Sequence, residues 1–207
     1  MAVSLEKAIE QVSIADLPPF EADLDAHIRL IGDKHKDGLG FSKHAKSRFS
    51  DPDSVNASYG VIYAGQDLAT SVAEAIVRDT KAGNPGPMLL SYKRAVSDWR
   101  AVVISSTSPL KLLNLTGVGL IRFGIPTNIV RQRSQLSSRK LGRAIYRHKA
   151  RFDGILYGSR ITMGQCLAVF DRAIAKLRID EEIRLPDLKT DLTDIYRSMN
   201  IQILPPV

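Results

Sequence analysis

The side chains best equipped for chemistry are scattered along the sequence. They are Arg29, Arg48 within Ser47-Arg48-Phe49-Ser50, Tyr63 within Val61-Ile62-Tyr63-Ala64, Glu74, and Ser159 just after Gly154-Ile155-Leu156-Tyr157-Gly158. Together they supply two guanidinium groups, a phenol, one carboxylate and one hydroxyl, with no histidine among them. Two arginines suit a pyrophosphate, because each can make bidentate, charge-assisted hydrogen bonds. A tyrosine offers a flat face to a heteroaromatic ring. A single carboxylate can stabilise a developing oxocarbenium ion or align a nucleophile against it. The set suits a dinucleotide that loses a ring from a ribose, as NAD+ does when nicotinamide departs. Nicotinamide leaves as a neutral molecule, so the missing histidine removes no needed general acid.

Each residue also has a plainer reading. Glu74 points away from a stripe of Leu68, Val72 and Ile76, and can pair with Arg78 four residues on, worth about 0.3 kcal/mol. Arg29 and Arg48 read equally as surface charges, Tyr63 as a core tyrosine and Ser159 as a turn residue. Other searches return little. His27, His35, His44 and His148 lack metal-ligand spacing, and no paired cysteines occur, so no metal site is expected. Gly117-Val118-Gly119 followed by Gly124 is not the dinucleotide fingerprint, and there is neither a phosphate-binding P-loop nor a GxSxG elbow. His148 continues the Leu141–Ile145 stripe as a packed or capping residue, and Cys166 alternates in a strand as a core thiol.

The elements that must position these residues follow from local signals. A short helix is predicted over Leu5 to Val12, ended before Pro18-Pro19. His27-Ile28-Arg29 reads as a strand, and residues 32 to 60, rich in Gly, Asp, Ser, Asn and Lys, read as long loops around a short element. Val61 to Ala64 is a buried strand. Asp67 caps a helix from Leu68 to Thr80, which Gly83, Pro85 and Pro87 bring to an end. Strands follow at Met88 to Tyr92, Ala101 to Ser105, Leu110 to Leu115, Gly154 to Tyr157 and Cys166 to Phe170, with helices at Gln135 to His148 and Asp191 to Met199. Strands grouped mid-chain with helices between them indicate an α+β fold, with βαβ order left open.

The 207 residues are 44% apolar and 25% charged, enough for a real core. That excludes a disordered tail, a collagen-like fibre and a disulfide-stapled miniprotein. One domain over 1–207 is expected, its core spanning about 24–172 and residues 173–207 packing on it as a C-terminal extension. No run of about 18 apolar residues occurs, Glu6, Lys7 and Glu10 interrupt any leader-like stretch, and there is one cysteine, so a cytoplasmic address is expected. The net charge is +7, and nine Lys or Arg lie between Arg122 and Arg151 with no acid among them. Arg139, Arg143 and Arg147 share one helix face, which suits either an external anion or a solvated surface. A basic nucleic-acid-binding module is therefore one alternative. The two aromatics within that block, Phe123 and Tyr146, are few for base stacking. Six acids between Asp180 and Asp194 reverse the balance near the C-terminus.

Taken in order, the five residues and their flanks resemble the RES-domain toxins of Xre–RES toxin–antitoxin systems. The likeness rests on Arg29, Ser-Arg-Phe-Ser around Arg48, Val-Ile-Tyr-Ala running to Asp-Leu-Ala-Thr-Ser-Val-Ala-Glu through Glu74, and Phe-Asp-Gly-Ile-Leu-Tyr-Gly-Ser-Arg through Ser159. It spans roughly residues 24 to 172. The resemblance implies an ADP-ribosyltransferase-like α+β fold, a central twisted sheet split around an NAD+ cleft and flanked by helices. It implies that Glu74 is the catalytic carboxylate and that Arg29 and Arg48 hold the phosphates. Tyr63 would stack on nicotinamide or position its ribose, and Ser159 would bond the ribose or an attacking phosphate. Arg29 and Tyr63 are counted with Glu74 as catalytic. The implied activity is destruction of cellular NAD+ by phosphorolysis or hydrolysis, with protein ADP-ribosyltransfer as the alternative. NAD+ is a substrate, inorganic phosphate a candidate co-substrate, and no resident cofactor is implied. The implied partner is an Xre-type helix-turn-helix antitoxin whose C-terminal end blocks the cleft. Direct contact with nucleic acid is expected only through that antitoxin, a homodimer is compatible, and no membrane is involved.

Overall fold

A computed structural model describes residues 20–78, 86–122, 125 and 135–205. The predicted helix at Leu5 to Val12 lies outside the described residues. Strands β1 (Phe20–Ala22), β2 (His27–Gly32), β3 (Val61–Gly65), β5 (Trp99–Ser106), β6 (Leu110–Asn114), β7 (Gly154–Gly158), β8 (Gln165–Phe170) and β9 (Leu177–Arg184) form one mixed sheet. Their order is β1-β6-β7-β8-β3-β2-β5-β9, antiparallel except where β6 and β7 run together. A second, two-stranded parallel sheet joins β4 (Met88–Ser91) to β10 (Ile201–Leu204). This is the expected α+β architecture.

The joint between β2 and β3 is unlike the others. β3 pairs along its length with β8, and β2 with β5, but β2 meets β3 only at Ile28 opposite Gly65. The sheet is thus split between its third and second strands. Helix α1 (Leu68–Val72) lies beside the split and runs on as a π-turn, Ala73–Val77, closed by the Arg78 N–H donating to the Ala73 carbonyl at 2.9 Å. Asp67 caps α1 as its sequence requires, accepting from the Thr70 N–H at 2.7 Å. The predicted helix is therefore α-helical for one turn and then widens, a feature of many functional sites. Its residues beyond Arg78 lie outside the described set.

Apolar side chains of alternating strand positions fill both faces. One cluster packs Phe49, Tyr59, Ile155, Tyr157 and Phe170 against Leu141, Ala144 and Ile145 of α3 (Leu136–Arg147), with α2 (Gly119–Arg122) contributing Leu120. The opposite face gathers Ile62, Ala64, Val102, Ile104, Leu156 and Val169. A third cluster, beyond the split, joins Val72, Ile76 and Leu90 to Leu192 and Tyr196 of α4 (Lys189–Ser198).

Several elements differ from the sequence reading. No regular element forms between Gly32 and Val61, where a short one was expected; Asx turns at Asp37, Asp51 and Asp53 fold that stretch instead. Part of the acidic segment is β9, an edge strand whose charges face water or pair locally, as Glu182 does with Arg100 at 2.9 Å. The main sheet therefore runs on to residue 184, past the expected core boundary near 172. His148 follows α3, buried, with Nδ1 accepting from the Ala150 N–H at 3.1 Å, a capping role.

Candidate active site

The Ser47–Asp51 turn holds Arg48 from below. Ser50 closes it, its hydroxyl accepting from the Ser47 N–H at 3.0 Å and donating to the Ser47 carbonyl at 2.9 Å. The Asp51 carboxylate accepts from the Asp53 N–H at 3.0 Å, the Ser58 N–H at 3.0 Å and the Ser58 hydroxyl at 2.6 Å. Burial raises the Asp51 pKa, but the Ser58 and Asp53 donors outweigh it and hold the carboxyl below its ordinary value. Two tyrosines grip Phe49 from either side. The Tyr59 hydroxyl donates to its carbonyl, and the Tyr63 oxygen accepts from its N–H, each at 2.8 Å. The Tyr63 oxygen also accepts from the Ser47 hydroxyl at 3.0 Å. Arg48 itself is 2% exposed. Burial, and then the nearby Arg78 charge, press its pKa down.

Glu74 comes from the π-turn on the other side of the split. Ser159 donates to its Oε1 at 2.8 Å, and Arg78 Nη1 lies 3.5 Å from Oε2. Ser159 is fully buried; its oxygen accepts from the Ile161 and Thr162 N–H groups at 3.1 and 3.3 Å, which leaves its proton for Glu74. Arg160 extends the same network, donating to the Arg78 carbonyl at 3.4 Å. A hydroxyl held by two main-chain donors thus orients the carboxylate before any ligand arrives.

Between these parts lies a cavity of about 200 Å³, walled by Tyr63, Glu74, Arg78 and Tyr157, with Ile28 and Leu30 of β2 opposite. Burial drives the Tyr63 and Tyr157 pKa values up, so both phenols stay protonated. Cys166 also lines the cavity, and burial, then Glu74, push its thiol up to about 12, as an inert core thiol requires. Among the described residues no cluster of His, Cys, Asp or Glu is arranged to hold a metal ion. What the arrangement offers is an oriented carboxylate, aromatic walls and the Arg78 guanidinium on one small hollow, with the Arg48 charge nearby.

The structure brings four of the five sequence-selected residues together: Arg48, Tyr63, Glu74 and Ser159. Arg29 stands apart. It faces Val102 across β2 and β5, one step out of phase with Ile28 and Leu30, so its side chain leaves the sheet on the face away from the cavity. There Nη2 donates to the Gly40 carbonyl at 2.6 Å, and burial lowers its pKa to about 10. Four residues not assigned from sequence complete the site: Ser47, Arg78, Tyr157 and Arg160. Arg78 was visible as the i+4 partner of Glu74, and Arg160 as the neighbour of Ser159; nothing local marked Tyr157 as more than a strand residue.

The mixed sheet is parted between two strands, with a helix-borne carboxylate at the parting, and this α+β fold recurs in a solved structure. The M. tuberculosis MbcT–MbcA toxin–antitoxin complex contains a chain with this architecture: TM-score 0.65, 19% identity, covering 92% of this chain and 97% of that one. Residues 29–188 match the RES domain model, and the protein belongs to the RES domain family. It is also 28% identical over 131 residues to a probable toxin, y4kH, of Sinorhizobium fredii (strain NBRC 101917 / NGR234), spanning 62% of this chain and all of that one.

Proposed function

We propose that this protein is the toxin of a toxin–antitoxin pair and that it breaks the bond between nicotinamide and ribose in NAD+. Family membership and the toxins it resembles support the first half. The observation that carries the second is the 2.8 Å hydrogen bond from Ser159 to Glu74 at the wall of an aromatic-sided cavity. The nicotinamide end enters that cavity between Tyr63 and Tyr157, and Arg48 meets the phosphates. As the C1′–N1 bond breaks, its electron pair leaves with neutral nicotinamide, and positive charge grows on the ribose ring. The Glu74 carboxylate, held by Ser159, stabilises that charge. Water or a phosphate oxygen then attacks C1′ and, for water, gives up a proton to solvent. Arg29, on the other face of β2, takes no part in this step. NAD+ is consumed as substrate with no resident cofactor, and a helix-turn-helix antitoxin that closes the cleft would silence the reaction.

Incubating the pure protein with NAD+, with and without phosphate, and resolving products by chromatography tests the proposal. Release of nicotinamide with free ADP-ribose indicates hydrolysis, a phosphorylated ADP-ribose indicates phosphorolysis, and label transferred to protein indicates ADP-ribosyltransfer. Glu74→Gln keeps the size of the side chain and should cut turnover by at least about 10²-fold. Near-normal turnover would remove Glu74 from the chemistry.

A further inference from the structure

The basic stripe of α3 has a place in the fold that its charge alone does not reveal. Arg139 reaches out of the helix and donates to the Asp51 carbonyl, 88 positions away in sequence. Arg143, one turn on, puts its positive charge beside the Asp51 carboxyl group. Both side chains are half-buried, whereas Arg147, the third of the stripe, is exposed. Between them, on the buried side, sits Gly142. A Cβ added there would lie 2.5 Å from the Phe49 carbonyl oxygen and 3.0 Å from its Cα. Only hydrogen fits in that gap, so the helix rests directly on the backbone of the residue after Arg48.

From this we infer that Arg139 and Gly142 are positioning residues for Arg48, and that the inner part of the basic stripe is a brace behind the substrate site. The chain of contact is short. Gly142 lets α3 approach Phe49, Arg139 ties the helix to Asp51, and Arg48 and Phe49 lie within the turn so held. Tyr59 and Tyr63 grip the same turn from the sheet side, so the backbone that carries Arg48 is fixed between a strand and a helix. Two arginines directed at this turn have no need of an external polyanion to account for their place.

The functional half of the inference rests on the NAD+ reading, so the experiment has two readouts. Arg139→Ala, Arg139→Lys and Gly142→Ala are compared with the parent chain and with Arg147→Ala. In hydrogen–deuterium exchange, Arg139→Ala should speed exchange in peptides covering residues 47–58 while those covering β7 and β8 keep their protection. In kinetics it should raise KM for NAD+ by roughly tenfold with kcat within about twofold, because Arg48 acts by binding. Arg139→Lys, which still carries a donor, should recover most of both effects. Gly142→Ala should show the same local signature, and Arg147→Ala neither. Unchanged exchange at 47–58 in Arg139→Ala overturns the brace, as does faster exchange spread evenly over the sheet. If the parent chain leaves NAD+ intact, the proposed activity fails while the exchange arm still decides the brace.

Discussion

Replacing Tyr63 by phenylalanine isolates one oxygen with two partners. The ring stays against the cavity, but the acceptor for the Phe49 N–H at 2.8 Å and for the Ser47 hydroxyl at 3.0 Å is gone. Ser47 borders the cavity and can turn to water, so its loss is slight. Phe49 is 0% exposed, and its N–H would be left without an acceptor, at a cost of about 1–3 kcal/mol. For a domain of this size, 1 kcal/mol moves Tm by roughly 2–4 °C, so the middle of that range, about 2 kcal/mol, gives an expected fall of about 4–8 °C. The control is Ser47→Ala, which deletes one donor and leaves the Phe49 bond in place; it should lower Tm by less than about 3 °C. Thermal unfolding of the two variants beside the parent measures the difference. A Tyr63→Phe chain that melts with Ser47→Ala would refute the idea that this hydroxyl holds the turn.

Two further outcomes follow from the ionisation of buried groups. Cys166, its thiol pushed up to about 12, carries roughly 10³-fold less thiolate at pH 8.5 than an ordinary cysteine. Alkylation of the folded protein at that pH should therefore be slower than that of the urea-unfolded chain by at least about 10²-fold, and equal rates would contradict its burial. The Asp51 carboxyl is held below its ordinary value of 3.8, so its contribution is complete above that pH and is lost as pH falls through the lower, folded-state value. Asp51→Asn should lower stability near neutral pH and flatten the acid limb. Parallel melting curves for parent and variant between pH 6 and 3 would show that Asp51 gives no pH-dependent support.

Much of the framework could be read from local sequence because local chemistry sets it. The Asp67 cap, the apolar run at Val61–Ala64 and the Leu141–Ile145 stripe each specify an element with little outside help. β9 escaped notice because an edge strand carrying Asp180, Glu181 and Glu182 lacks the apolar alternation of a half-buried one. β4 and β10 lie more than a hundred residues apart, and no local signal predicts their pairing. The site divides along the same line. Four of the five residues chosen by type converge in the fold. Arg29 falls on the other face through strand phase, since Ile28 and Leu30 occupy the cavity side. Tyr157 and Arg160 join the site through tertiary approach, and the π-turn that presents Glu74 leaves no mark that helical periodicity can register.

The single meeting point of Ile28 with Gly65 leaves the neighbouring edges of two strands without each other. Along residues 61–64, main-chain N–H and C=O groups on that side are turned to the gap instead of to a ladder. Under the proposed reaction, a substrate wedged there would meet peptide bonds as well as side chains. That part of its recognition would be written in backbone geometry, whose donors and acceptors any replacement but proline leaves in place.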